Sequence, residues 1–80
     1  MSSHTAAIES LKRWIALRKR LIERRTLLGL SRRLVADRCG VTESAVEHWE
    51  KGRREPGIAN VFVWAAAVGV TISYEVSPDV

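Results

Sequence analysis

The sequence predicts an all-α domain of about four helices that ends in a short C-terminal strand. Three observations lead there. From Ala6 to Leu28 the chain contains neither Pro nor Gly, and its apolar residues recur at helical spacing. Residues 31 to 52 read as two short helices, each opened by its own hydroxyl residue, on either side of Gly40. Val70-Thr71-Ile72-Ser73-Tyr74-Glu75-Val76 then alternates apolar and polar residues, the period of a strand with one buried face. Eighty residues allow one domain, laid out as a flexible N-terminus over residues 1–5, a helical body over 6–70 and a strand segment over 71–80.

The start, Met1 to Thr5, is short and polar and is expected to fray. The long helix that follows, one helix or two in near register, has a stripe of Ile8, Leu11, Ile15 and Ile22 and a neighbouring one of Trp14, Leu17, Leu21 and Leu28. Glu9, Lys12, Arg13, Lys19, Arg20, Glu23 and Arg24 lie opposite. Such a basic amphipathic helix also suits an anionic membrane or a calmodulin-like groove, but here a domain follows for it to pack on. Arg18 and Arg25 fall between the apolar stripes. A guanidinium at a helix seam must find a carboxylate or carbonyl to offset its desolvation. No partner for Arg18 is legible.

Ser31 caps the second helix and Thr42 the third, because a hydroxyl there accepts a bond from a first-turn N–H. Gly40 provides the left-handed residue at which the second helix ends. The small Ala36 lets the third helix cross closely, with Val35, Cys39, Val41, Val46 and Trp49 around the crossing. A fourth helix is expected from Pro56 to Val68, the proline suiting the first turn, where its missing N–H is no loss. Ile58, Val61, Phe62, Ala65 and Val68 make its core face, yet Val63, Trp64, Ala66 and Ala67 leave the rest apolar too. Either the long helix or another subunit should therefore cover Val63 and Trp64. The strand over 71–76 has no partner in the chain, which predicts a homodimer with antiparallel pairing of this segment and an interface of Val63, Trp64, Ile72 and Tyr74. A strand tucked against its own domain is the alternative.

The run from Ser31 to Gly52, with its small residue, glycine, apolar residue and capped second helix, resembles the helix-turn-helix of the phage Cro and lambda-repressor family. The likeness covers residues 21 to 70: Arg25 ahead of Gly29-Leu30-Ser31, Trp49-Glu50-Lys51-Gly52 closing the third helix, and Pro56 and Gly69-Val70 bounding the fourth. The resemblance implies a lambda-repressor-like helix-turn-helix domain with an extended N-terminal helix. It implies a Cro-like or short repressor that occupies an operator on double-stranded DNA, in a bacterial cytoplasm or nucleoid; the homodimer expected from the unpaired strand would make that operator an inverted repeat. It further implies that Arg25 pairs with Glu50, a phosphate contact or plain solvation being the alternatives for Arg25.

Composition agrees with a polyanion as partner. The net charge is +4, and residues 1 to 38 hold ten Lys/Arg against three acids, whereas residues 39 to 80 hold three against six. Cys39 is the only cysteine and reads as a buried structural thiol, which suits a reducing cytoplasm and excludes an internal disulfide. The longest apolar stretch, Val61 to Val70, is about half of a membrane span.

Carried over position by position, the family's base-reading sites fall on Glu43, Ser44 and His48, with Glu47 adjacent. Glutamate is a departure from the more usual Gln, Asn, Arg or Ser. It can accept from cytosine N4, so Glu43 or Glu47 would specify rather than repel. A solvated acidic face is the alternative. Arg32 and Arg33 on the first turn of the second helix, the capping Thr42, and Lys51, Arg53 and Arg54 beyond the third are the candidate phosphate contacts, against a merely solubilising surface. No residue spacing sets up a general acid and base, and no HExxH or Gly-rich phosphate loop is present, so neither an enzyme nor a metal, cofactor or small-molecule ligand is expected. A protein-interaction module of the same fold, antitoxin- or coactivator-like, using the Trp64 face and the C-terminal strand, is the second reading.

Overall fold

A computed structural model describes residues 3–79; Met1, Ser2 and Val80 lie outside the described residues, and with them part of the expected flexible start. Four helices follow one another: α1 Ser3–Leu27, α2 Arg32–Cys39, α3 Glu43–Glu50 and α4 Ile58–Ala67. Helix α1 already begins at Ser3, three residues before the expected start, because nothing in Ser3-His4-Thr5 breaks a helix. It is a single helix, about 37 Å long at 1.5 Å per residue. That is most of the 42 Å long axis of the molecule.

Local chemistry sets the short helices. The Ser31 hydroxyl accepts from the Leu34 N–H at 3.0 Å and the Thr42 hydroxyl from the Ala45 N–H at 3.1 Å. Gly40 ends α2 at φ 70°, a left-handed conformation that a Cβ would strain. Helix α4 is capped by Gly57 rather than opened by Pro56, since Gly57 holds the extended backbone of a cap and Pro56 precedes it.

The core joins Leu21 of α1, Val35 and Ala36 of α2, Val46 and Trp49 of α3, and Val61, Trp64, Ala65, Ala67 and Val68 of α4 and its end. Trp49 and Trp64 meet at 5.5 Å between ring centroids, tilted by 40°, and join α3 to α4. The expected core face of α4 is therefore turned by about one residue. Ile58 and Phe62 are exposed, while Trp64, expected at a subunit interface, is fully buried within the single chain.

Helix α4 has no basic residue in its last turn to meet its free carbonyls. Two arginines from other helices do so instead. Arg38 donates to the Ala67 carbonyl at 2.9 Å and Arg24 to the Val68 carbonyl at 3.2 Å. The expected C-terminal strand is absent: among the described residues no strand forms, and residues 70–77 have no regular secondary structure. With no second strand to pair with, the chain instead bonds the Val70 N–H to the Ala65 carbonyl at 2.8 Å and lays Val70 and Ile72 against the core. Tyr74 and Val76 leave the surface exposed, at 92% and 82%.

Candidate nucleic-acid interface

Helix α3 presents Glu43 and Ser44 to solvent in its first turn and Glu47 and His48, half-buried, one turn on. Val46 and Trp49, on the opposite side, anchor it in the core. Ala36 of α2, 1% exposed, lies in the same core cluster as Val46 and Trp49 of α3, and so small a side chain lets the two helices pack closely.

Beyond α3 the chain folds back on itself. The Arg53 N–H donates to the His48 carbonyl at 2.9 Å and the Arg54 N–H to the same oxygen at 3.4 Å, which holds both exposed arginines beside the helix end. Gly52 makes this turn at φ 70°, and a Cβ there would stand 3.2 Å from the Arg18 guanidinium. Arg18 occupies that place because its Nη1 lies 3.6 Å from the Glu55 carboxylate and its guanidinium carbon 5.9 Å from the centre of the Trp14 ring. It ties the middle of α1 to the loop. The sequence does not reveal Glu55 as the partner, because it stands 37 residues away in a loop whose path the sequence does not give.

The candidate residues divide by the company they keep. Arg25 and Arg32 both bind Glu50, whose side chain is 3% exposed: Arg25 Nε and Nη2 donate at 2.6 and 3.0 Å, and Arg32 Nε at 2.9 Å. Arg25 also donates through Nη1 to the Leu30 carbonyl at 3.1 Å. Arg32, expected to face phosphate, is thus turned toward Glu50, and that hydrogen bond raises its pKa further. Lys51, also expected on phosphate, donates instead to Glu47 at 2.7 Å. That ammonium holds the Glu47 carboxyl below its ordinary range. Glu47 and Lys51 together therefore carry no net charge.

Arg33, Arg53 and Arg54 remain exposed, and none of the three is held in an ion pair among the described residues. Thr42 is exposed at the N-terminus of α3; its hydroxyl accepts from the Ala45 N–H and keeps its own O–H to donate. Of the residues assigned to a dimer interface, Val63 is 38% exposed and Tyr74 92%, Ile72 is half-buried against the core, and Trp64 is inside. No group of His, Cys, Asp and Glu among the described residues is arranged to hold a metal ion, and no helix is long and apolar enough to cross a membrane.

A family model described as Helix-turn-helix matches residues 21–74, more than half of the chain. No curated protein and no solved structure gives a significant match.

Proposed function

The chain belongs to the helix-turn-helix family of Cro and lambda-repressor type, a family of double-stranded DNA-binding regulators, and from that premise we propose that it represses by occupying a specific operator. One observation carries the reading: three exposed arginines that make no ion pair among the described residues, Arg33 in the first turn of α2 and Arg53 and Arg54 in the turn that follows α3, stand before and after α3 in the chain. Phosphate contacts of this kind position a helix in the major groove, and the side chains between them read base edges. Ser44 and His48 are the readers in this proposal, with Glu43 accepting from a cytosine N4. Glu47, neutralised by Lys51, completes that surface without repelling phosphate.

A helix of eight residues reaches only a few base pairs. Two copies related by a two-fold axis, their α3 helices about 34 Å apart, would read an inverted repeat with half-site centres about ten base pairs apart. The second reading, a protein-interaction module, needs an exposed Trp64 face, which is buried, and a C-terminal strand, which does not form among the described residues.

Selection of bound duplexes from a random pool, followed by titration of the winner at several salt concentrations, tests the proposal. A common inverted-repeat site should emerge. Its log affinity should fall with log salt at a slope of about −3 per protomer, as expected for three phosphate contacts. A pool with no common site, or binding indifferent to salt, would refute a sequence-specific regulator.

A further inference from the structure

The N-terminal half of α1 carries an apolar stripe that nothing in the described chain covers. Every residue from His4 to Arg13 is exposed, and Ile8, Leu11 and Ile15 lie on one side at 42%, 58% and 47% exposure. Their spacing of three and four is that of the contact positions between paired helices. This part of α1 lies outside the matched family region, which starts at Leu21. The other apolar stripe of the same helix is spent on the domain itself, through Trp14, Leu17 and Leu21.

Beside the stripe lies a mostly apolar cleft of about 350 Å³ lined by Trp14, Glu55, Pro56, Ile58 and Val61. Leu11 stands one turn before Trp14, so stripe and cleft adjoin. Ile58, at the cleft's edge, is 76% exposed. A ridge next to a hollow can seat a partner helix, its side chains filling the cleft while its backbone follows α1.

Charge decides which partner. Helix α1 holds seven Lys/Arg against Glu9 and Glu23. Lys12 and Lys19, one turn after Ile8 and Ile15, run along the open edge of the stripe; Lys12 lies 3.7 Å from Glu9 in a solvent-exposed pair, which is weak enough for another carboxylate to replace. We infer that this surface docks an acidic amphipathic helix of another protein, its apolar residues on Ile8, Leu11, Ile15 and the cleft, and its carboxylates on Lys12 and Lys19.

A second copy fits less well, because antiparallel pairing about the stripe would set the two Lys12 side chains at the same level between two helices of like charge. A lipid surface would want the whole apolar face of α1, half of which is committed to the core. Duplex DNA has no use for Ile8, Leu11 and Ile15.

The full-length chain is titrated with a designed helical peptide of about 20 residues bearing Leu at a and d and Glu at e and g, and with its twin in which Lys replaces Glu. The Glu peptide should bind at least about tenfold more tightly than the Lys peptide, and less so as salt rises. Leu11→Ser with Ile15→Ser should lose about tenfold or more of that affinity while binding to the selected duplex is unchanged, which also reports that the variant folds. Lys12→Glu with Lys19→Glu should invert the preference between the peptides. Equal affinity for both peptides, or none for the Glu peptide, overturns the inference. So does binding to equimolar phosphatidylcholine and phosphatidylglycerol vesicles, or self-association in sedimentation, that the serine substitutions abolish in place of peptide binding.

Discussion

Arg25 grips Glu50 with two parallel bonds, Nε to Oε2 at 2.6 Å and Nη2 to Oε1 at 3.0 Å, and so fastens α1 to the last residue of α3. A fork of this geometry fixes orientation as well as distance. Arg32 adds α2 to the same carboxylate at 2.9 Å. Three helices therefore meet on one side chain that is almost wholly out of water.

Removing the acceptor should cost more than removing one donor. Glu50→Gln removes the negative charge and one of the two acceptor oxygens that a pair of guanidinium groups share, and is expected to lose about 3 kcal/mol. Arg25→Met leaves Glu50 with Arg32, and about 2 kcal/mol is expected, the worth of a charge-assisted bond. Urea denaturation of both single variants and of the double variant measures this. The double should lose less than the sum, and strict additivity would mean that the two residues act independently.

What could be read in the sequence was local. The Ser31 and Thr42 caps and the Gly40 turn depend on residues within three positions of one another, and they stand where their side-chain chemistry predicts. The bonds from Arg24 and Arg38 to the end of α4 could not be read in the same way, because their acceptors are backbone carbonyls 44 and 29 residues away, which carry no residue signature. The signal present was negative: a helix whose last turn has no basic residue needs donors from elsewhere. Helix α4 misled for a related reason. With apolar residues all round it, its periodicity has no polar side to set the orientation, and the sequence reading of Trp64 outside and Phe62 inside is the reverse of what the fold requires. Of the four apolar residues in the alternation from Val70 to Val76, Val70 and Ile72 face the core while Tyr74 and Val76 are exposed, and no paired strand forms among the described residues. At the interface, residue type placed Arg33, Arg53 and Arg54 on the surface, but that Arg32 and Lys51 turn to glutamates required the fold.

Arg33 and His48 should separate affinity from specificity. Arg33 is exposed at the start of α2 and makes no ion pair among the described residues, so Arg33→Ala should leave stability unchanged, weaken all duplexes alike and reduce the salt slope by about one. His48→Ala should cost about 1–3 kcal/mol on the selected site and little on random duplex. Arg32→Ala should differ from both, lowering stability together with affinity, since its Nε holds Glu50. Equal losses on specific and random duplexes for His48→Ala would remove it as a reader.

Cys39 should be a slow thiol. It is half-buried at the end of α2, and burial pushes its pKa up by disfavouring the thiolate. At neutral pH it should react with iodoacetamide more slowly than a cysteine in the unfolded chain, and its rate-pH midpoint should lie higher. The linkage has a definite sign. A folded pKa above the unfolded value of about 8.5 gives a stability contribution that is complete below that pH and is lost as pH rises through the raised folded value. Cys39→Val removes the titrating group. It should therefore lack this part of the alkaline loss in melts taken from pH 8 upward; identical profiles for the two proteins would refute the assignment.

Trp64 presents the sharpest conflict in the core. It is fully buried, it stacks on Trp49, and its indole Nε1–H finds no acceptor among the described residues. Its surface burial and ring contact stabilise the fold, whereas an unmet buried N–H costs about 1–3 kcal/mol. The two terms can be separated by substitution. Trp64→Ala discards ring and donor together and leaves a cavity between α3 and α4, for which about 3–5 kcal/mol is expected. Trp64→Phe keeps an aromatic ring against Trp49 and deletes the orphan donor, so the smaller cavity is offset and the net change should stay within about 1 kcal/mol. Both are read by denaturant unfolding followed by the fluorescence of Trp49 and Trp14. If Trp64→Phe costs as much as Trp64→Ala, the indole N–H is contributing to the fold, and the nitrogen must have an acceptor in solution.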